Sequence, residues 1–228
     1  MASPPAPEPL PDYISDGLVL WLDGKLQGST ADAWTDLVNG VVFTKKASGV
    51  TFNSDNVQFG GSQNNCLWNT STYEFVNSDV GTIEVCYRDV PTTGASCAFS
   101  SCGVGSSGYG GKGICFEIYT GNRIIYSSGN AGSRPANGAW TAESVGTYSV
   151  SSSRAIQNMI SKGFTSTNNY VSRYNAAAVI GADLQYKNTI NGKIHSIRIY
   201  NRQLTEEEVL HNQAIDNTRF NLGITVNS

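Results

Sequence analysis

The chain has 228 residues, of which 14% are charged, and its formal net charge at pH 7 is −3. Its lysines and arginines are scattered without a basic run, which argues against a nucleic-acid partner or an anionic membrane surface. No apolar stretch approaches the roughly 18 residues needed to cross a bilayer, so membrane insertion is not expected. The 24 glycines and 11 tyrosines favour an all-β class, and the length suits one β-sandwich domain.

The chain begins with a proline-rich segment. Each proline fixes its own φ angle and lacks a backbone N–H donor, so we predict an irregular or polyproline II arm over residues 1–15. The domain itself is expected over residues 16–228. The arm is expected to act as a linker, or to dock that domain on capsid or other virion proteins or on other copies of the chain. Its prolines are Pro4, Pro5, Pro7, Pro9 and Pro11.

The same segment has neither the charged n-region nor the apolar h-region of a secretory signal peptide, so we expect no signal peptide within this chain. Two locations remain open. The protein is expected on a virion surface, assembled without secretion, or at the cell surface or outside the cell after an upstream signal has been removed.

Past the arm, short runs rich in β-branched and aromatic residues alternate with glycine and asparagine. Their length, and the glycine and asparagine residues that separate them, predict strands. In the last strand, Ile194 and Ser196 are expected on one face and His195 and Ile197 on the other, because side chains alternate along a strand. The predicted strands are residues 18–22, 41–44, 82–87, 114–119, 123–126, 147–150 and 193–200.

One helix is predicted near the C-terminus. The Thr205 hydroxyl can cap the helix, Glu208 has the spacing of a capping-box partner, and Leu204 with Val209 forms a hydrophobic staple. We expect a helix from about residue 206 to residue 217. The three glutamates of its first turn suit the positive end of the helix dipole and are interpreted as structural.

Five cysteines, at positions 66, 86, 97, 102 and 115, form an odd and irregularly spaced set. This pattern favours reduced, partly buried thiols. A disulfide between Cys97 and Cys102 stays open, and no pair has the C-x2-C spacing of a zinc site.

Two parts of the sequence resemble a known family. GLVLWLDG at residues 17–24 and WTDLVNG at residues 34–40 look like the opening of LamG-like domains of the concanavalin A-like lectin and glucanase superfamily. VIGAD at residues 179–183, followed by INGKIHSIRIYNRQLTEEE at residues 190–208, looks like the closing strand and helix of the same family. The resemblance spans roughly residues 16–220.

The resemblance implies a jelly roll of two antiparallel sheets. Such domains serve as lectins, adhesion modules, glycosidases and phage virion modules, so the fold alone does not decide the function. Many relatives bind calcium through loop carboxylates and backbone oxygens, and this makes Asp23 and Asp183 candidate calcium ligands because both lie in the matching motifs. No other cofactor is expected.

The signature of a glycoside hydrolase is absent from the sequence. Relatives that are enzymes place two carboxylates on one strand, whereas neither Glu84 nor Glu117 has such a partner in this chain. Carboxylates that meet from different strands remain open. The two histidines, His195 and His211, stand outside any zinc-protease motif, and no G-x-S-x-G sequence is present.

Carbohydrate binding needs an aromatic platform for the apolar face of a pyranose, bordered by amides and carboxylates that bond its hydroxyls. Six aromatic residues lie in or beside segments rich in Asn, Gln and Ser, and for each of them packing is the alternative role. They are Trp68, Tyr73, Tyr109, Trp140, Tyr170 and Tyr174.

The sequence therefore predicts a non-catalytic LamG-like binding module displayed on a virion or cell surface, with a glycan or cell-surface polysaccharide as its partner. The alternative is a phage structural protein, such as a head-decoration or fibre subunit, that is docked by its N-terminal arm. A glycoside hydrolase is the third candidate.

Overall fold

The computed structural model describes residues 10–27, 32–73, 81–92, 94–101, 115–119, 123–128, 131–133, 143–151, 154–162, 176–183 and 186–225. In these ranges the chain forms two eight-stranded antiparallel sheets and two helices. The sheets pack face to face, which confirms the prediction of an antiparallel two-sheet sandwich with a C-terminal helix. Helix α1 (Gly24–Gln27), a single turn, was not predicted.

The first sheet has the strand order β14-β13-β12-β7-β16-β5-β4, with β1 also paired to β16. Its members are β1 (Leu18–Asp23), β4 (Val50–Phe52), β5 (Val57–Gly60), β7 (Thr82–Arg88), β12 (Val145–Ser151), β13 (Ala155–Gln157), β14 (Ile160–Lys162) and β16 (Asn191–Tyr200).

The second sheet has the order β11-β10-β9-β8-β15-β6-β3-β2. Its members are β2 (Ala33–Thr35), β3 (Val42–Lys45), β6 (Leu67–Tyr73), β8 (Ala95–Ser100), β9 (Cys115–Tyr119), β10 (Arg123–Ser128), β11 (Ala131–Ser133) and β15 (Ala176–Ile180). All seven predicted strands occur, with ends that differ by one to two residues.

The main hydrophobic core lies between the two sheets. Inward-facing residues of the two sheets meet there, so Leu20 and Val85 of the first sheet belong to the same buried cluster as Phe43, Phe99 and Phe116 of the second. Neighbouring residues on these strands face outward, and outward positions of both sheets carry the polar and aromatic groups described below.

The last strand departs from simple alternation. A β-bulge shifts the register of β16 against β7 between Ile194 and Ser196, so that His195 is the extra residue. Ile194 therefore joins Ile197 in the inter-sheet core, and the expectation that Ile194 shares a face with Ser196 is wrong. His195 packs its ring 4.8 Å from that of Phe220, and burial lowers the pKa of its imidazole.

Helix α2 (Glu206–Arg219) lies against the outward face of the first sheet, where Val209 and Leu204 pack with Tyr200. Both halves of the predicted capping box are present, since the Thr205 hydroxyl accepts from the Glu208 N–H and the Glu208 carboxylate accepts from the Thr205 N–H. Neither helix in the described ranges has the length and apolarity needed to cross a bilayer.

Candidate functional site

Trp68 is the member of the predicted aromatic set whose surroundings the structure describes. Tyr73 ends the same strand, β6, but its side chain lies outside the described part of the structure. Four further members of the predicted set lie outside the described residues altogether, and these are Tyr109, Trp140, Tyr170 and Tyr174. The site is therefore built outward from Trp68.

Trp68 lies on the outward face of the second sheet. Its neighbour in the chain, Leu67, is buried in the inter-sheet core, and the alternation of a strand turns Trp68 the other way. Across the sheet Trp68 stands opposite Thr44 on β3 and Val179 on β15. The indole is half-buried, packed on a small apolar floor of Cys66, Val179 and Ala182.

Tyr186 provides a second ring. Its centroid lies 6.1 Å from that of Trp68 and the two planes meet at 83°, an edge-to-face arrangement. Tyr186 has φ of +59°, a left-handed conformation that is costly for a bulky side chain. Such strain persists only where the surroundings impose it, and it is found preferentially at binding sites.

The loop that carries Tyr186 is fixed at both ends. Cys97 N–H donates to the Asn188 carbonyl at 2.7 Å, and Gly181 N–H donates to the Ala98 carbonyl at 2.9 Å. On the other side, the Thr189 hydroxyl donates to the Gly61 carbonyl at 2.6 Å. These bonds join the loop to β8 and to the turn after β5, and they hold Tyr186 against Trp68.

Lys46 completes the site, which we call the aromatic–lysine cluster: Lys46, Trp68 and Tyr186 over the floor of Cys66, Val179 and Ala182. Lys46 Nζ lies 4.1 Å from the Trp68 centroid and 3.8 Å from the Tyr186 centroid, so one ammonium is attracted to two ring faces. Burial raises the pKa of the Cys66 thiol to about 11, with Lys46 acting against that shift. Cys66 is therefore a neutral thiol at physiological pH.

Sequence reasoning missed Tyr186 and Lys46. Tyr186 follows the closing VIGAD motif by three residues, and its position beside a family motif was the available signal. Lys46 carried no signal of its own. Its approach to Trp68 depends on the pairing of β3 with β6, which places Thr44 opposite Trp68 and Lys45 opposite Leu67.

Both candidate calcium ligands already take part in protein contacts. Asp183 accepts from Lys187 N–H at 2.8 Å and from Asn188 Nδ2 at 3.0 Å. Asp23 accepts from Lys25 N–H at 3.0 Å, at the start of α1, and forms an ion pair with Arg219. Within the described ranges, no three acidic, histidine or cysteine side chains converge as metal ligands do. The calcium sites stay a prediction.

Glu84, one of the two carboxylates considered for hydrolysis, lies in a buried network beneath α2. Arg198 Nε donates to Glu84 Oε2 at 2.9 Å, and Arg198 Nη2 donates to Asp216 Oδ2 at 2.7 Å. The Glu84 and Asp216 side chains are both 0% exposed. Burial raises the pKa of Glu84, against the opposing effect of Arg198. The Glu117 side chain lies outside the described part of the structure.

The end of the predicted arm is bonded to this same region. Tyr13 is 6% exposed, His211 Nε2 lies 2.7 Å from the Asp12 carbonyl, and Ile14 N–H donates to Asn212 at 3.0 Å. Pro11 accepts from Tyr13 N–H through its carbonyl. The other arm prolines, Pro4, Pro5, Pro7 and Pro9, lie outside the described residues.

Comparison with known proteins gives the fold class. No protein-family profile matches the chain, and no curated protein matches it in sequence. Among solved structures, Trypanosoma rangeli sialidase in complex with sialic acid is 15% identical to this chain, with a TM-score of 0.61. The match covers 89% of this chain and 33% of the sialidase chain.

Two binding-domain structures are similar to the same degree. The botulinum neurotoxin serotype G binding domain is 16% identical with a TM-score of 0.62, over 88% of this chain and 51% of that one. The binding domain of Paraclostridial Mosquitocidal Protein 1 is 16% identical with a TM-score of 0.59, over 90% and 53%. The chain thus spans a third to a half of these proteins, and at such identity the likeness shows a β-sandwich fold alone.

Proposed function

We propose that this chain is a non-catalytic, LamG-like carbohydrate-binding module, displayed on a virion or cell surface, that binds a glycan at the aromatic–lysine cluster. The observation that carries the proposal is the half-buried pair of Trp68 and Tyr186, held edge to face on the outward face of the second sheet. Partly exposed aromatic rings pack against the C–H face of a pyranose. The left-handed backbone of Tyr186 supports it, because the chain bears strain in order to place that ring.

Two further observations support a binding role without catalysis. Two of the similar structures are binding domains by name. In addition, Glu84 and Asp216 are buried and bridged by Arg198, so neither carboxylate can flank a glycosidic bond. Release of reducing sugar from a polysaccharide panel would count against this part of the proposal.

The test is a glycan array and a titration with the best array hit. We expect Trp68→Ala and Tyr186→Leu each to weaken binding by roughly 30-fold, as for an aromatic hot spot worth about 2 kcal/mol. Val42→Ala is the matched control, because Val42 lies on the adjacent strand and is 43% exposed. Circular dichroism of each variant separates lost binding from lost folding. A folded Trp68→Ala variant with unchanged affinity would exclude this site.

A second candidate, a virion structural protein docked by its arm, is supported by the anchoring of Tyr13, which gives the arm a fixed point of exit beside α2. Sedimentation of the full chain against a variant lacking residues 1–9 tests self-association through the arm. Loss of assembly with retained glycan binding is the expected result, and identical sedimentation of both chains would exclude self-association through the arm.

A further inference from the structure

The ammonium of Lys46 is the charged group of the aromatic–lysine cluster, and its partners are two aromatic rings. The neighbouring Lys45 pairs with Asp32 at 3.4 Å, and Lys193 pairs with Asp89 at 2.7 Å. Across the described residues, no carboxylate or carbonyl oxygen forms a hydrogen bond or ion pair with Lys46 Nζ. Lys46 is nevertheless half-buried. Its charge is therefore positioned by the two rings, with no hydrogen-bonded carboxylate among these residues.

The two rings fix the position of the Lys46 ammonium and leave its N–H donors available for hydrogen bonds. A cation–π contact uses the charge of the ammonium, whereas its three N–H donors need oxygen acceptors. Asp183 raises the pKa of the same Cys66 thiol whose pKa Lys46 lowers, but the Asp183 carboxylate accepts from Lys187 N–H and from Asn188 Nδ2 in its own loop. The Lys46 donors thus remain available for an acceptor that arrives with a ligand.

We propose that the aromatic–lysine cluster selects an acidic sugar, one whose ring carries a carboxylate or a sulfate, and that Lys46 is the residue that recognises the anionic group. The inference rests on the proposed function, since it assumes that the ligand is a glycan. The sugar ring packs on the parts of Trp68 and Tyr186 that Lys46 leaves exposed, while its anionic group accepts from Lys46 Nζ. An ammonium-bearing ligand is disfavoured because the Lys46 ammonium already lies against both rings and repels a second cation.

The experiment compares polymers that share a backbone and differ in charge. Polygalacturonate is titrated against its fully methyl-esterified form, and dextran sulfate against dextran, so that the two pairs separate carboxylate from sulfate recognition. We expect the wild-type chain to bind the acidic member of at least one pair about tenfold more tightly than the neutral member, in keeping with a charge-assisted hydrogen bond. The preference should weaken in high salt.

Three variants test the residue. Lys46→Met keeps an apolar side chain over the rings and should abolish the acidic preference while leaving any neutral binding intact. Lys46→Arg should retain the acidic preference. Lys25→Met is the matched control, since Lys25 is an exposed lysine in α1 and its loss changes the net charge equally.

The outcomes separate this inference from the proposed function. If the wild-type chain binds neutral and acidic members equally and Trp68→Ala loses both, the glycan site stands and the acidic preference is wrong. If Lys46→Met keeps the preference, Lys46 is not the recognising residue. If the folded wild-type chain binds neither these polymers nor any glycan on an array, both proposals are overturned.

Discussion

The Tyr13 hydroxyl donates to Asp216 Oδ1 at 2.7 Å, which joins the N-terminal segment to helix α2. The Arg198 guanidinium lies 4.0 Å from the centre of the same tyrosine ring. Burial raises the pKa of Tyr13, so the phenol stays protonated and donates throughout the physiological range. Tyr13 thereby covers the buried network of Glu84, Arg198 and Asp216.

We expect Tyr13→Phe to lower the free energy of unfolding by about 1–3 kcal/mol, because it removes a hydrogen bond to a buried carboxylate. Tyr13→Ala should cost about 3–5 kcal/mol, because it also leaves a cavity over Arg198. Urea denaturation measures both values. Equal stability of wild type and Tyr13→Ala would show that residues 12–14 do not close this network in solution.

Arg198→Met is expected to lower the free energy of unfolding by about 3–5 kcal/mol, because it leaves Glu84 and Asp216 buried without their cation. Lys193→Met is the matched control. Lys193 pairs with Asp89 at a more exposed position, so its loss should cost about 0–1 kcal/mol. A loss below 1 kcal/mol for Arg198→Met, read from the same denaturation curves, would contradict the view that the network depends on its arginine.

Glu208 links stability to acid pH. Its hydrogen bond with Arg202 is the main cause that lowers its pKa from 4.5 to about 2. A lowered folded-state pKa gives stability that is fully present above about pH 4.5 and is lost as the pH falls towards 2. The difference in stability between wild type and Glu208→Gln should therefore shrink over that window. The side chain is 25% exposed, so 1 M salt should reduce the difference; a constant difference from pH 6 to 2 would refute the linkage.

Gly181 connects the core to the loop of Tyr186. Its φ is +84°, and a Cβ at this position would lie 2.5 Å from Phe59 Cδ1. We expect Gly181→Ala to cost about 2–4 kcal/mol, from backbone strain together with overpacking, and to weaken ligand binding by displacing the loop. Gly223→Ala is the matched control, since Gly223 has φ of +72° and open space around it. Thermal unfolding compares the two, and equal losses would mean that the contact with Phe59 is relieved at no cost.

The strands and α2 were predictable because their signals are local. Periodicity, turn residues and the capping box of Thr205 and Glu208 all lie within a few positions of one another. The bulge at His195 was not predictable, because it arises from the register of β16 against β7 and has no mark in the strand itself. One misplaced residue then moved Ile194 to the other face.

The candidate site shows the same division. Trp68 was predicted as a binding residue from its residue type and setting, whereas its neighbours Lys46 and Tyr186 come from other parts of the chain and meet it only through the fold. The carboxylates followed this pattern too. Glu84 has no second carboxylate on its own strand, and the structure brings Asp216 to it from α2 by way of Arg198.

Tyr13 is fastened behind the first sheet, and Trp68 lies on the outward side of the second, so the two are separated by the full thickness of the sandwich. A particle or cell wall that held the chain by its N-terminal arm would contact the side of the first sheet and leave the outward face of the second sheet exposed to the medium. Many copies arrayed in this orientation would present the proposed glycan sites together, and weak contacts made simultaneously add up to strong adhesion.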